Sequence, residues 1–305
     1  MTNSTASFVI NGVVNIPFSL IAAVGNSLIL VSFARTPSLL SPSNVLLISL
    51  TISDLLVGLI VQPSYIAEKI CQHMNPPMLS KFSRRTLTAV SFLIVSFLSV
   101  DRFLAVHLHL RYHEVVTVRR MTLFVCSLWI ASAVTASFGI WRAEYFDFVA
   151  APATSIFLLI NAVLYFKIYR IVRRHQLQIS QQLTTPVSVE TINMTARLKS
   201  SFFNSFSLYL IFLLCFAPYM GTAVNWFIKK SNNLDPTSPA QLAFEASWTI
   251  VFINSSLNPL LYSWRLKNVR AAVKRTLKDI SSKLSCFGRW WGTKMAIFRS
   301  WITCE

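Results

Sequence analysis

The chain has 305 residues, 54% of them hydrophobic and 13% charged, with a formal net charge of +17. A soluble domain carries about 25% charged residues, so the composition argues against an ordinary soluble domain. Seven Gly and twelve Pro exclude a collagen-like or low-complexity chain.

The N-terminal MTNSTASFVI has no basic run and no small-residue cleavage site, so no signal peptide is expected. Asn3-Ser4-Thr5 is a glycosylation sequon. Similar triplets at Asn193 and Asn254 fall in a loop expected in the cytoplasm and inside a helix, which leaves Asn3 as the candidate acceptor. Charges are clumped further along. Residues 121–141, 148–166, 200–228 and 246–264 are uncharged runs of 21, 19, 29 and 19 residues. A membrane-spanning helix needs about 20 apolar residues. The expected spans are 11–34, 44–66, 84–106, 121–140, 148–170, 201–228 and 240–263, with Pro37, Pro42, Pro236 and Pro239 in the loops. A basic amphipathic eighth helix is expected from Arg265. The fold class is therefore an all-α membrane protein, a seven-transmembrane helix bundle. It divides into an extracellular N-terminus (1–10), the spanning domain (11–263) and a cytoplasmic helix with a basic tail (264–305). No internal repeat is visible, which argues against inverted-repeat transporters.

With the N-terminus outside, 21 of the 28 Lys and Arg residues fall on the cytoplasmic side, as the positive-inside rule requires. That bias accounts for the +17 through attraction to inner-leaflet lipid, and no nucleic acid is implied. Of five cysteines only Cys71 is extracellular, so no intrachain extracellular disulfide is expected.

Ionisable and amide side chains inside a span are costly, hence functional candidates. Asp54 lies mid-way along the second span, Ser91 mid-way along the third, and Asn254 and Asn258 one turn apart on the seventh. Asn26 is midway along the first. Carboxylate, hydroxyl and amide oxygens at one depth suit a hard cation. A hydrogen-bonded polar core with water is the other reading. Asp101-Arg102 closes the third span, Asn258-Pro259-Leu260-Leu261-Tyr262 closes the seventh, and Pro218 sits deep in the sixth. There Pro218 removes a backbone hydrogen bond and kinks the helix.

In this order and at these depths, the features resemble the class A, rhodopsin-like G-protein-coupled receptors over about residues 11–284. The motifs are Gly25-Asn26, LTISD with Asp54, Asp101-Arg102-Phe103 for the family's DRY, Trp129, Tyr165, CFAP (Cys215 to Pro218), and NPLLY. Within the class the melanocortin and adenosine branch is most similar. Shared features are LRYHEVVT (Leu110 to Thr117), a short stretch from Trp141 to Asp147, and Phe157 where other receptors carry a mid-helix proline.

The resemblance implies a ligand-activated receptor in the plasma membrane, with a heterotrimeric G protein and arrestin as partners. It implies that Asp101 and Arg102 pair at rest and that Arg102 meets the G protein. Tyr165, Pro218, Pro259 and Tyr262 would serve activation, and the sixth helix would move outward. It implies a sodium pocket at Asp54, Ser91, Asn254 and Asn258, and no cofactor besides that ion. Phe216 replaces the usual toggle tryptophan. Phe252 replaces the retinal lysine, so the chain is not an opsin. Arg84 replaces the amine receptors' aspartate. Ser64 and Lys81 stand where melanocortin receptors have two acids.

Arg84 and Arg85 open the third span. Arg84 is 18 residues from Arg102, about 27 Å along a helix, so it sits at the outer edge of a hydrocarbon layer about 30 Å thick. Three readings stand. Arg84 snorkels to water; it pairs with Glu144, Asp147 or Glu245; or it binds an anionic ligand. By resemblance the ligand site is Lys81, Arg84, Thr88, Phe216, Tyr219, Phe244, Glu245 and Trp248. In the tail, Leu266, Val269, Val273, Leu277 and Ile280 form an apolar stripe, and Cys286 is the palmitoylation candidate.

No HExxH, GxSxG or glycine-rich phosphate loop is present, and His107-Leu108-His109 reads as a solvated loop. An enzyme is not expected. A polytopic transporter or channel is the alternative.

Overall fold

The computed structural model describes residues 3–71, 78–108, 111–141, 143–181, 189–231, 239–266, 268–279 and 281–282. The helices are α1 (Asn3–Ala34), α2 (Pro42–Leu56), α3 (Gln62–Ile70), α4 (Met78–Leu108), α5 (Tyr112–Val115), α6 (Val118–Trp141), α7 (Ala143–Gln181), α8 (Val189–Ser231) and α9 (Pro239–Arg265). A π turn (Val57–Val61) joins α2 to α3, and residues 268–279 form a further helical run.

Among the described residues six spans are long and apolar enough to cross a membrane: Val9–Ala34, Pro42–Ile70, Met78–Leu108, Val118–Ile140, Pro152–Arg174 and Phe202–Trp226. The seventh, α9, is more polar. It carries Ser247, Thr249, Asn254, Ser255, Ser256 and Asn258, all of them buried. A helix that hides its polar groups inside a bundle need not be uniformly apolar to sit in lipid. α9 lies between α1 and α8 and completes the seven-helix membrane bundle.

Several expected boundaries move. α4 begins at Met78, so Arg84 lies inside the helix rather than at its start. α6 ends at Trp141 and α7 begins at Ala143, so the helix that carries the fifth span starts earlier than 148. α7 runs on to Gln181 and α8 starts at Val189, which places Lys167, Arg170, Arg173, Arg174 and Lys199 on helices, not in a loop. In the run 268–279, Val269 and Val273 are buried against the bundle while Leu277 is 47% exposed. The expected apolar stripe is thus divided: part packs on protein, and only part is left for the membrane. Thr276 meets Ser32 (3.3 Å) and Asp279 meets Arg35 (3.8 Å). Ile280, Cys286 and the Asn3 side chain lie outside the described residues.

The π turn has a local cause. Pro63 has no N–H, and the Gln62 N–H reaches back five residues to the Val57 carbonyl. The Gly58 carbonyl therefore loses the donors both four and five residues on. The Ser19 hydroxyl of α1 donates to it at 2.7 Å. This approach requires glycine, since a Cβ on Gly58 would stand 2.8 Å from the Ala23 nitrogen and 2.9 Å from the Ala22 Cβ.

Gly58→Ala should therefore lose about 1–3 kcal/mol by overpacking. Gly221→Ala, on α8 with nothing within 4 Å of the added carbon, should be neutral or stabilising by up to about 1 kcal/mol. Thermal unfolding of the two variants in detergent micelles checks both signs.

Candidate functional site

At the Arg84 end, the wider turn before Pro63 sets the facing of α3, and Tyr65, Glu68 and Lys69 project towards α4 and α9. Lys69 is only 7% exposed, and a buried ammonium needs compensation. Its Nζ lies 3.2 Å from Glu68 Oε1 and 2.8 Å from Glu245 Oε2. The Tyr65 hydroxyl is within reach of the Glu245 carbonyl (2.9 Å) and Oε2 (3.2 Å). Asn11 Nδ2 donates to the Tyr65 oxygen at 2.8 Å. Thr249 in turn donates to Asn11 Oδ1 and accepts from Asn15 Nδ2 (2.8 Å). One polar network thus joins α1, α3 and α9.

The two arginines diverge, as the 100° step between helix neighbours demands. Arg84 points into the bundle, with Nη1 3.9 Å from Glu68 Oε2 and its guanidinium 5.2 Å from the Trp248 ring centre. Arg85 turns to α6 and donates to the Gly139 carbonyl at 2.5 Å. Among the described residues two acids face this end: Glu68, which meets Arg84 and Lys69, and Glu245, which meets Lys69. Of the expected partners of Arg84, Glu245 is thus engaged by Lys69, and the side chains of Glu144 and Asp147 lie outside the described residues. Glu68 was not foreseen. Its signal is weak: one acid beside one lysine near a helix end reads as a solvated pair.

Below these charges lies an aromatic floor. Tyr219 packs on Trp248 (4.7 Å between ring centres) and Phe244 (5.8 Å). Phe216 lies deeper, 6.5 Å from Tyr219. Lys81 is exposed and Thr88 half-buried.

In the middle, Asn258 Nδ2 donates to Asp54 Oδ2 at 2.6 Å. Ser91 bonds to Ser53 (2.9 Å) rather than to Asp54. Ser91, Asn254, Ser255, Thr88 and Phe216 line a small cavity of about 10 Å³. Asp54 Oδ1 and Asn26 Oδ1 are buried and accept no hydrogen bond. The expected four residues are thus brought together in two pairs.

At the other end, Arg102 is held by Asp101 Oδ2, 3.0 Å from its Nε, and by the Ser43 hydroxyl of α2. Ser43 also donates to Asp101 Oδ2 (2.9 Å), and the Tyr112 hydroxyl donates to Oδ1 (2.5 Å). Sequence reasoning missed Ser43 and did not single out Tyr112 for this contact. A cavity of about 80 Å³ opens beside Arg102, lined by Asn204, Ser205 and Leu208 of α8 and by Leu261 and Tyr262 of α9. Tyr165 donates to the Ser205 carbonyl at 2.9 Å and stacks on Tyr209. Pro218 and Pro259 both lie inside their helices, as expected.

Residues 25–141 match a family profile described as 7 transmembrane receptor (rhodopsin family). The chain is 22% identical to human melanocortin receptor 3 over 276 residues, 85% of this chain and 82% of that one. It is 22% identical to mouse melanocortin receptor 3 over 281 residues, covering 86% and 84%. Dopamine receptor 4 of Caenorhabditis elegans is 28% identical over 181 residues, covering 51% and 35%.

Burial, with the Asp101 carboxylate beside it, pushes the Tyr112 hydroxyl up to about 12. A raised folded value favours the protonated form. The stability from this hydrogen bond is therefore complete below the ordinary tyrosine value near 10 and is lost as pH rises towards about 12. Tyr112→Phe should cost about 1.5–3 kcal/mol at neutral pH, as for a bond to a charged acceptor. The gap from the parent should close above about pH 10. Thermal midpoints across that range check it, and a gap that does not change with pH would refute the linkage.

Proposed function

We propose that the chain is a multi-pass membrane receptor of the rhodopsin-like G-protein-coupled family, a receptor rather than an enzyme, that passes binding of an anionic extracellular ligand to a heterotrimeric G protein through outward movement of α8. The observation that carries the reading is the placement of its two arginines. Arg84 reaches into one mouth of the bundle, 3.9 Å from Glu68, while Arg102 borders the cavity at the other. The orientation follows from charge. With the N-terminus outside and the tail in the cytoplasm, 21 of 28 basic residues lie inside.

At the outer mouth, the Arg84–Glu68 contact is long for an ion pair, so a ligand acid can replace Glu68. A guanidinium presents a planar fork that binds a carboxylate or phosphate bidentately. The aromatic floor of Tyr219, Phe244 and Trp248 receives the apolar part of such a ligand. Lys81, one turn above Arg84 and exposed, adds attraction at the entrance. A melanocortin-type peptide with a central arginine would meet Arg84 and Lys81 as like charges.

In the middle, a sodium ion is the proposed allosteric ligand. Asp54 Oδ1 and Asn26 Oδ1 have lone pairs without donors, and Ser91, Asn254 and Asn258 supply neutral oxygens nearby. That set suits a hard monovalent cation.

At the inner mouth, release of Arg102 from Asp101 and Ser43 would let it face the G protein, and arrestin would use the same opening. Pro218 is the pivot of α8. The α8 sequence around Arg197-Leu198-Lys199 is basic, and the carboxylate before it, Glu190, is 14 residues from Asn204, about 21 Å along the helix. A latch from Arg102 to an acid on α8, worth about 1.5–3 kcal/mol, is therefore not available, and basal activity is expected to be appreciable.

Nucleotide exchange on purified G protein by receptor in nanodiscs tests the core of this reading. The parent should exceed empty nanodiscs without agonist, and Arg102→Ala should abolish exchange while leaving surface expression intact. Normal exchange by Arg102→Ala would sink the assignment.

A screen of acidic ligands (fatty acids, lysophospholipids, nucleotides and peptides with acidic ends) tests the mouth. Arg84→Ala should weaken an agonist's potency by about tenfold or more, and Arg85→Ala far less. In the same assay agonist affinity should fall in sodium relative to a large organic cation, and Asp54→Asn should remove that difference. A cationic agonist, or unchanged potency in Arg84→Ala, would overturn the anionic reading.

A further inference from the structure

On α7, Lys167, Arg170, Ile171 and Arg174 are spaced by three, four and seven residues from the first, so they share one helix face. With Phe103 of α4 they line an open cleft of about 270 Å³. Three of its five lining residues are cationic and none is acidic. The cleft is separate from the cavity beside Arg102, which is lined from α2, α4, α8 and α9. Phe103 follows Arg102 in the chain and so points about 100° away from it. That places the cleft in the outer groove between α4 and α7, against lipid, and not in the opening where a G protein would enter.

The same face of α7 continues towards the bundle centre as Phe166, Val163 and Leu159, which are 61%, 52% and 68% exposed. These are four-, three- and four-residue steps from Arg170, so the apolar track runs straight into the cationic cluster. The Arg170 guanidinium lies 5.9 Å from the Phe166 ring centre, at the junction of the two. An exposed apolar track leading to a pocket of convergent cations has the profile of a phospholipid, acyl chain above and headgroup below. A single phosphodiester carries one negative charge and leaves two of the three cations unmatched. A headgroup bearing extra phosphomonoesters matches all three, and the two guanidinium forks are suited to phosphate oxygens.

We infer that Phe103, Lys167, Arg170 and Arg174 form a binding site for a phosphoinositide-type lipid, a membrane lipid whose headgroup carries more than one phosphate. The leaflet follows from the orientation proposed above and is the cytoplasmic one. Binding in nanodiscs does not depend on that orientation, so failure of one is distinguishable from failure of the other. The bound lipid bridges α4 and α7 one residue from Arg102.

The test uses the full chain in phosphatidylcholine nanodiscs with a small fraction of fluorescent phosphatidylinositol bisphosphate. Retention is read by energy transfer from a label on the receptor. Lys167→Gln/Arg170→Gln/Arg174→Gln should weaken retention about tenfold or more. Lys274→Gln/Arg275→Gln/Lys278→Gln removes the same charge from the exposed side of the helical run 268–279 and should cause a clearly smaller loss. Equal losses would show generic charge attraction and overturn the site. So would phosphatidylserine retained as tightly as the bisphosphate lipid. Soluble inositol trisphosphate bound as tightly as the lipid would show that the apolar track contributes nothing, and would overturn the lipid assignment. If the triple variant fails to fold, Arg170→Gln against Arg170→Lys in a folded background decides the matter. Loss should follow charge and be graded, and equal retention by both would refute the proposal.

Discussion

The architecture depends on how carbonyls freed by proline are satisfied inside a membrane. Pro259 has no N–H, so the Ser255 carbonyl four residues before it has no donor in α9. Within hydrocarbon an unsatisfied carbonyl costs several kcal/mol. Asn26 of α1 supplies the bond, donating from Nδ2 at 3.1 Å. Gly25 permits the approach, because a Cβ there would stand 2.9 Å from the Pro259 ring. The same device recurs two turns up α1, where Ser19 serves the Gly58 carbonyl left by Pro63. Asn11, Asn15, Ser19 and Asn26 lie at helical spacing and form one polar stripe. That stripe fixes α3 and α9 relative to α1. With α9 placed, Asn258 meets Asp54 and Tyr262 reaches the cavity beside Arg102. With α3 placed, Lys69 and Tyr65 meet Glu245.

The two ends of the bundle then hold their arginines differently. Arg102 is bound by a carboxylate next to it in the chain and by the hydroxyl of Ser43. Asp101 is itself held by Ser43 and Tyr112, so the pair is pinned from α2 and α5 and not only within α4. Arg84 has a looser contact with Glu68 and an aromatic face against it. A pinned arginine resists release until its surroundings move. A loosely paired one leaves most of its hydrogen-bonding capacity for something that enters from outside.

The sequence disclosed the spans, the polar residues of the middle and the motif residues of the Arg102 end, because charge gaps and prolines are local signals. It disclosed α9 as a span even though its buried serines, threonine and asparagines dilute its hydropathy. It did not disclose the π turn. Gly58 and Pro63 are visible, but nothing local says that the helix widens instead of bending. It placed Arg84 and Arg85 together near one end of the third span, yet did not name Glu68 as a partner of Arg84. Glu68 faces Arg84 because the widened turn sets the facing of α3, and that is a tertiary consequence. The helical extent of α7 and α8 was underestimated for a related reason. Charged residues end an apolar run, but they do not end a helix that projects beyond the membrane.

Between the two ends runs a column of aromatic rings on α8. Phe202, Phe206, Tyr209, Phe212, Phe216 and Tyr219 recur every three or four residues, so they share its inward face. Phe212 and Phe216 are stacked 4.0 Å apart, and Phe92 of α4 contacts both. Tyr219 meets Trp248 below Arg84, while Tyr209 stacks on Tyr165 near the Arg102 cavity. Pro218 interrupts the backbone beside this column, between Phe216 and Tyr219. A tryptophan at position 216 would carry an indole N–H that seeks a partner when buried. Phe216 has none, so packing alone holds it. A ring held by packing slides between neighbouring rings without breaking a hydrogen bond. The proposed movement of α8 about Pro218 would therefore be opposed by these dispersion contacts, by the Tyr165 bond to the Ser205 carbonyl, and by Thr222, one turn beyond Pro218, which bonds to Ser247 of α9 at 3.0 Å.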